Sequence, residues 1–226
     1  MDYLSLISKE LIELLSSYIN YDTFLEFNTY YNTNNLDYNL MFRYHFNFYH
    51  INNKSDYIRF LGIESLKNKL KLRYTIKQLI NLLELDLSNS QLNHLPKEIG
   101  LLTNLQKLYL HKNRLPELPK EIGLLINLQI LYLNNNQLNQ LPKEIELLIN
   151  LQKLDLGNNR LTQLPEEIGA LINLIYLYLH NNLLTQLSEE ISTLINLRSL
   201  FVSKNQLDIY EIRKIKQLLP NTNLYF

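Results

Sequence analysis

The eleven residues 105–115, LQKLYLHKNRL, contain the pattern that decides the fold. Leucines occupy the first, fourth, sixth and eleventh positions and an asparagine occupies the ninth, and residues 128–138, LQILYLNNNQL, repeat this arrangement 23 positions later. Six copies of the pattern begin at leucines that keep this interval: Leu82, Leu105, Leu128, Leu151, Leu174 and Leu197. Such regular self-similarity predicts a solenoid of stacked coils.

The alternation inside the pattern predicts one short strand per copy. Leu85 and Leu87 are two residues apart and therefore point to the same side of a strand. Because no single copy can bury its leucines alone, we expect neighbouring strands to stack into a curved parallel sheet over one shared core. Six copies predict six such strands.

An asparagine column follows the strands, at the point where the chain turns away from the sheet. The second to sixth copies supply this ladder of side chains: Asn113, Asn136, Asn159, Asn182 and Asn205. An amide at this position can bond backbone groups of adjacent coils that a turn would leave unpaired, so we assign it a structural role. The first copy has Ser90 instead, whose shorter side chain predicts a looser first coil.

The second half of each copy predicts a short helix on the convex side. It reads L-P-x-E-I-x-x-L, as in residues 118–125, LPKEIGLL. Proline in a first helical turn costs no hydrogen bond, and the glutamates that follow suit the positive end of a helix dipole. In the fifth copy Ser188 replaces the proline, and its hydroxyl can still cap a helix.

The complete pattern resembles the 23-residue repeats of Ras-group leucine-rich repeat proteins and of similar arrays in bacteria and large DNA viruses. The resemblance runs from about residue 81 to the C-terminus and implies an α/β fold, a leucine-rich repeat solenoid of six repeats with short convex helices. Residues 208–226 depart from the pattern: helical periodicity reaches Leu219, Pro220 stops it, and an extended piece follows. Because a solenoid end exposes core leucines and an open sheet edge, we predict that this segment is the C-terminal cap.

Residues 1–80 contain no repeat and predict a small all-α region. Apolar residues recur at helical spacing from Leu4 to Ile19, again within residues 57–61, and from Leu66 to Ile80. One interpretation is that this region only caps the N-terminal end of the solenoid. The predicted plan is a helical domain over residues 1–80 and a repeat domain over residues 81–226.

A second interpretation of the N-terminal region rests on residues 10–27, ELIELLSSYINYDTFLEF. This stretch is similar to the F-box, a three-helix motif that docks on the Skp adaptor of cullin–RING ubiquitin ligases. The resemblance implies a substrate-recognition adaptor and assigns adaptor contacts to six residues: Leu11, Leu15, Tyr18, Ile19, Phe24 and Leu25. A functional F-box, a degenerate one and a plain cap are the alternatives.

The positions between the strand leucines point outward on the concave face, where aromatic and charged residues recur. The predicted partner-binding residues are Tyr109, Tyr132, Tyr178, Phe201, Tyr176, Lys107, Lys153, Asp155, His111 and His180. Tyrosine and phenylalanine bury large rigid areas at low entropic cost, as hot-spot residues of protein interfaces do. The alternative is that these rings only stack on their neighbours along the sheet.

The sequence presents no constellation for catalysis, for a metal or for a cofactor. Cysteine is absent, which excludes disulfides and thiolate chemistry. His111 and His180 are three strands apart, about 14 Å at the usual strand spacing. Asp86 and Asp155 are equally separated, and we expect both carboxylates to be exposed. No phosphate-binding loop, dinucleotide fingerprint, zinc-protease motif or nucleophile elbow occurs.

These features predict a protein–protein interaction module without enzymatic activity, which recognises a protein partner on its concave face. The alternative function is the F-box-type adaptor. The 22 basic and 22 acidic side chains balance, so no overall positive field attracts nucleic acid. Neither a basic, apolar leader nor an apolar run of membrane-spanning length is present. We expect a monomer in the cytoplasm (the host cytoplasm if the chain is viral) that contacts no membrane.

Overall fold

The computed structural model describes residues 54–226, and their side chains from residue 59 onward. These residues fall into two compact units, of which the first ends at Ile80 and the second comprises Asn81–Phe226. None of the described helices is long and apolar enough to cross a lipid bilayer. The six residues with predicted adaptor contacts, between positions 11 and 25, lie outside the described part of the chain.

The described part of the first unit contains helix α1 (Lys54–Lys69) and helix α2 (Ile76–Ile80). The helical periodicity noted from Leu66 to Ile80 is divided between these two helices, because the chain turns between them. Lys71 adopts a left-handed conformation with φ of 51°. Thr75 then starts α2 through a capping box: its Oγ1 accepts from the Gln78 amide, and Gln78 Oε1 accepts from the Thr75 amide at 2.8 Å.

The second unit is built on a parallel sheet whose strands follow one another in chain order. Residues pair in register across neighbouring strands, so that Leu85, Leu108 and Leu131 lie opposite one another and are buried. This confirms the predicted sheet, with one strand more than six copies predict. The strands are β1 (Glu84–Asp86), β2 (Lys107–Tyr109), β3 (Ile130–Tyr132), β4 (Lys153–Asp155), β5 (Tyr176–Tyr178), β6 (Ser199–Phe201) and β7 (Asn223–Tyr225).

The predicted convex helices are present as five-residue 3₁₀ helices. Each is closed by bonds between residues three apart, such as the Ile122 amide to the Pro119 carbonyl at 3.0 Å. The proline precedes the helix in an extended conformation and is not part of the first turn. The helices are Lys97–Leu101, Lys120–Leu124, Lys143–Leu147, Glu166–Ala170 and Glu189–Thr193.

On the convex side, Ser188 differs from expectation and Gly123 has a role that was not predicted from the sequence. The Ser188 hydroxyl makes no capping bond and is buried without a hydrogen-bond partner among residues 54–226, so the capping role predicted for it is wrong. At Gly123 a Cβ would collide with the Glu144 carbonyl of the next coil. A side chain at Gly123 would therefore require the backbone of the next coil to shift, although the next 3₁₀ helix has Glu146 at the equivalent position.

The asparagine column bonds each coil to the one before it. Asn136 Nδ2 donates at 2.9 Å to the carbonyl of Leu133 in its own coil and to that of Leu110 in the preceding coil. Its Oδ1 accepts from the Leu115 amide at 3.0 Å. Equivalent bonds are made by the other four members, Asn113, Asn159, Asn182 and Asn205. Each amide thus satisfies three backbone groups in two coils.

A left-handed residue precedes each ladder position and turns the chain off the strand. These residues have φ between 53° and 58°, and the sequence analysis did not identify them: Asn89, Lys112, Asn135, Asn158, Asn181 and Lys204. Asparagine tolerates this conformation well, whereas lysine does so at some cost. In the first coil Ser90 follows Asn89, and its hydroxyl reaches only the Ser88 carbonyl of the same turn.

Residues 208–226 end the repeat domain with a helix and a strand. Helix α3 (Ile209–Leu218) begins at Asp208, whose Oδ1 accepts from the Glu211 amide at 2.8 Å. Glu211 in turn accepts from the Leu187 amide at 2.9 Å, and Lys214 pairs with Glu189 of the last 3₁₀ helix at 3.1 Å. The extended piece predicted after the helix is β7, which pairs in parallel with β6.

Replacing one ladder asparagine is expected to weaken the whole domain. Asn136→Ala leaves two carbonyls and one amide without their partner in a buried turn, so we expect the free energy of unfolding to fall by about 3 kcal/mol. The midpoint of urea denaturation measures this change. Asn139→Ala, at an exposed position in the same coil, is the matched control. Equal midpoints for the two variants would contradict the bridging role.

Candidate functional site

The concave face presents an aromatic column at the third position of the strands. This column consists of Tyr109, Tyr132, Tyr178, Phe201 and Tyr225, and Asp155 interrupts it on β4. Its members project outward because they flank a buried strand leucine, and side chains alternate along a strand. Register makes them direct neighbours: Tyr109 lies opposite Tyr132, and Phe201 lies between Tyr178 and Tyr225.

The rings of the column contact one another in two different ways on either side of Asp155. Toward β7, Tyr178 and Phe201 are stacked with ring centroids 4.6 Å apart, and Phe201 and Tyr225 are stacked at 4.2 Å. Toward β1, Tyr109 and Tyr132 meet edge to face at 5.3 Å. Both arrangements are favourable for aromatic pairs. The neighbour stacking considered from the sequence therefore exists, and the rings stay only half-buried or exposed.

Tyr225 is a member of the column that the sequence analysis missed. Its triplet Asn223-Leu224-Tyr225 has the apolar-centred form of the other strands, but it follows a helix and lacks the 23-residue spacing. The pairing of Leu224 with Leu200 places it in the sheet. The form of this triplet therefore indicated a strand, whereas the 23-residue spacing did not.

Lys153 lies among three tyrosines at the centre of the face. Its Nζ is 5.1 Å from the ring centroid of Tyr132, 5.3 Å from that of Tyr178 and 5.9 Å from that of Tyr176, distances typical of cation–π contacts. A hydrogen bond with the Tyr132 hydroxyl raises the pKa of this ammonium. Lys107, the predicted lysine two strands away, is instead paired with Glu84 at 3.0 Å.

Asp155 occupies a less exposed environment than the sequence analysis expected. The carboxyl group is half-buried, and this burial raises its pKa above the ordinary value of 3.8. Its Oδ1 accepts from the Gly157 amide at 3.0 Å. Asp86 is exposed as expected, and hydrogen bonds from the Ser88 hydroxyl and amide lower its pKa. The expectation that both carboxylates are exposed is therefore wrong for Asp155.

The two predicted histidines follow their strands and flank this carboxylate from different coils. The His180 ring lies over Gly157, where a Cβ would collide with it. The His111 ring contacts Tyr109 and Tyr132 edge to face, at 6.5 and 6.4 Å between centroids. His111 Nδ1 is buried and has no hydrogen-bond partner in the described part of the chain. The lack of a side chain at Gly157, two residues after β4, thus leaves room for the His180 ring.

The predicted residues of the concave strands form an accessible surface. Tyr176 is 38% exposed and the other predicted strand residues of this face are half-buried, so ring edges and polar groups remain accessible. Within residues 54–226 no group of three or more histidine, aspartate or glutamate side chains could hold a metal ion. All ten predicted partner-binding residues lie on β2–β6 or two residues beyond a strand.

A second asparagine column, which the sequence analysis also missed, lies before the strands. Asn150 Nδ2 donates to the Ile126 carbonyl of the preceding coil at 2.8 Å. The same bond recurs at Asn127, Asn173 and Asn196. A groove of about 380 Å³ follows this column, lined by Gln129, Asn150, Gln152, Asn173, Ile175, Asn196 and Arg198. The repeated dipeptide Ile-Asn before a leucine was its signal.

Repeated strands, short convex helices and bridging asparagines at a 23-residue period define a leucine-rich repeat domain. The family model for the leucine rich repeat matches residues 103–161 and 149–207. The chain is a leucine-rich repeat protein, as its sequence predicts. Domains of this family typically serve as interaction modules without enzymatic activity. The comparison with curated proteins finds no match.

Several solved structures are similar to part of this chain. Leptospira interrogans LRR protein LIC12759 is 43% identical over 68% of this chain and 40% of its own length, with a TM-score of 0.65. The plant peptide hormone receptor RGFR1, solved in complex with RGF2, is 33% identical over 55% and 21%, with a TM-score of 0.50. An internalin (inlF) from Listeria monocytogenes shares the fold at 23% identity over 57% and 36%, with a TM-score of 0.51. The chain therefore spans less than half the length of each.

The opposite pKa shifts of the two aspartates predict opposite effects of neutralising them. Burial favours the protonated form of Asp155, so its ionisation costs stability, and this cost grows as pH rises through the raised pKa. Asp155→Asn should therefore stabilise the protein at pH 7 and give no advantage below about pH 3.8, the ordinary value.

Asp86→Asn is the matched control, because the lowered pKa of Asp86 means that its ionised form stabilises the fold above the ordinary value. This variant should be slightly less stable than wild type at pH 7, and the difference should vanish as pH falls through the lowered pKa. Urea denaturation at pH 7 and pH 3.5 measures both variants. The same sign for both at pH 7 would refute the assigned environments.

Proposed function

We propose that this protein is a non-enzymatic interaction module that holds a protein partner on its concave face. The aromatic column is the observation that supports the proposal most directly. Core leucines such as Leu108, Leu131 and Leu177 are fully buried and fill the coils without any help from these rings. The rings nevertheless occupy the centre of a continuous surface, where large aromatic side chains contribute most to binding.

The length of the surface and the preorganisation of its side chains suit a protein ligand. Seven strands at the usual spacing give the face a length of about 29 Å, enough for an interface of ordinary size. Ring contacts between neighbouring strands hold the side chains of the column in place before a partner arrives. Binding then requires less ordering of side chains, which lowers its entropic cost.

The similar structures support an interaction role at a general level. RGFR1 is a peptide hormone receptor that was solved with RGF2, and part of this chain resembles part of that receptor.

Truncating the central rings is expected to abolish partner capture with little effect on folding. Tyr132→Ala removes a half-buried ring with two ring contacts and Tyr178→Ala one with a single ring contact, so we expect each to lose about 1 kcal/mol in stability. Affinity purification from the native cell should recover a protein with wild type and lose it with either variant. Thermal denaturation measures the stability change.

Ile149→Ala is the control for this experiment, because it removes an aliphatic side chain that is 54% exposed outside the concave strands. It should retain the recovered protein. A large loss of stability in the tyrosine variants, or equal recovery with all variants, would show that the rings serve packing alone.

A second candidate function, the F-box-type adaptor, is favoured by the sequence of residues 10–27. In that role the N-terminal region binds a Skp-family adaptor while the repeats hold the substrate. We expect a purified Skp-family protein to bind the full chain and to be lost with Leu15→Asp or Tyr18→Ala. Tyr132→Ala, on the repeats, should leave this interaction intact. No binding by wild type would refute the adaptor function. We propose the cytoplasm as the location for both roles.

A further inference from the structure

We infer that the partner presents an acidic segment to the concave face, with a carboxylate paired to Lys153 and apolar or aromatic side chains on either side. This inference rests on the proposed function and gives the chemistry of its partner. The site is the Lys153 ammonium together with the rings of Tyr132, Tyr176 and Tyr178.

Lys153 is held in place by the protein without a counter-charge in ion-pair contact. Within the described residues no carboxylate oxygen lies within the 4.0 Å of an ion pair around its Nζ, whereas Lys107 on the same face is paired with Glu84 at 3.0 Å. The three tyrosine rings orient the ammonium through their negative faces but cannot neutralise it. An ammonium has three donors, so it can bond a carboxylate while it keeps its tyrosine contacts.

Asp155, the acidic residue on the same strand, attracts Lys153 electrostatically without ion-pair contact, and its hydrogen bond goes to another group. Its carboxylate accepts from the Gly157 amide at 3.0 Å, at the end of β4 where His180 lies. Lys153 begins β4, beside Tyr132 of β3 and both tyrosines of β5. The face therefore has an ammonium among rings at one end of its central strand and a carboxylate between imidazoles at the other.

A partner that covers this face must satisfy the ammonium. β4 is the middle strand of seven, so any ligand that spans the aromatic column excludes water from Lys153. Burying an unpaired charge is strongly unfavourable, whereas a carboxylate placed there gains a charge-assisted hydrogen bond in a sheltered position. The tyrosine rings on both sides favour flanking residues with apolar or aromatic surface. An acidic segment with aromatic neighbours meets both requirements.

The test uses random copolymers as probes, because they present many local arrangements of two residue types. A fluorescein-labelled copolymer of glutamate and tyrosine is titrated with the full-length protein at physiological ionic strength, and fluorescence anisotropy reports binding. Wild type should bind this copolymer and bind the corresponding lysine–tyrosine copolymer more weakly. Lys153→Met should reduce the affinity for the acidic copolymer about tenfold, as expected for the loss of one hydrogen bond between charged groups.

Two further variants separate the specific contact from a general loss of charge or of fold. Lys143→Met makes the same change in charge at an exposed position on the third 3₁₀ helix and should bind as wild type does. Lys153→Arg keeps the cation and should retain most of the affinity. All three variants should melt close to wild type.

The inference is overturned if wild type does not bind the acidic copolymer, if it prefers the basic one, or if Lys153→Met and Lys143→Met bind alike. Its failure can be distinguished from failure of the proposed function. A captured protein that is lost with Tyr132→Ala but kept with Lys153→Met would preserve the concave face as the partner site and exclude the acidic segment.

Discussion

The Asn136 amide bonds two carbonyls and one amide hydrogen in two successive coils, and every later property of the repeat domain depends on this kind of bridge. A coil that shifted by one residue would leave these buried groups unpaired, so the asparagines fix the register. Equal register at every step places residues 23 positions apart directly beside each other. Tyr109 and Tyr132 are neighbours for this reason, although the chain between them makes a complete turn of the solenoid.

Because of this register, one set of strand residues forms the core and a different set faces outward and is available for recognition. Inward positions are nearly all leucine and form a dry core, so the outward positions of the strands are not required for packing. Asp155 nevertheless works against stability, because burial opposes its ionisation, and Lys153 beside it has no ion-pair partner among the described residues. Groups kept in unfavourable environments on an open surface are typical of functional sites, because a ligand can relieve the cost. They therefore point to the centre of the concave face.

Spacing in the sequence was sufficient to predict the sheet and the direction of each strand side chain, because both follow from the 23-residue period and from alternation. Details that depend on how one coil meets the next were less accessible. The convex helices are 3₁₀ rather than α, a difference that the L-P-x-E-I-x-x-L pattern does not show. The Ser188 hydroxyl is buried, which no local pattern indicates. The burial of Asp155 likewise depends on side chains from other strands, whereas the second asparagine column was readable and was overlooked.

The rings of the aromatic column can stack on one another and still bind a partner, because different parts of the column serve the two roles. Toward β7, the parallel stacks of Tyr178, Phe201 and Tyr225 cover one another's ring faces, so much of their surface is already used within the protein. Around Lys153 the rings instead converge on an ammonium and have no stacking partner between Tyr132 and Tyr178, because Asp155 occupies that strand. Interfaces concentrate their binding energy near the centre and use the surrounding contacts to exclude water. The stacked end of the column is thus suited to be the rigid rim of the interface. The site on β4 around Lys153, where Asp155 interrupts the column, is where a partner would gain the most binding energy.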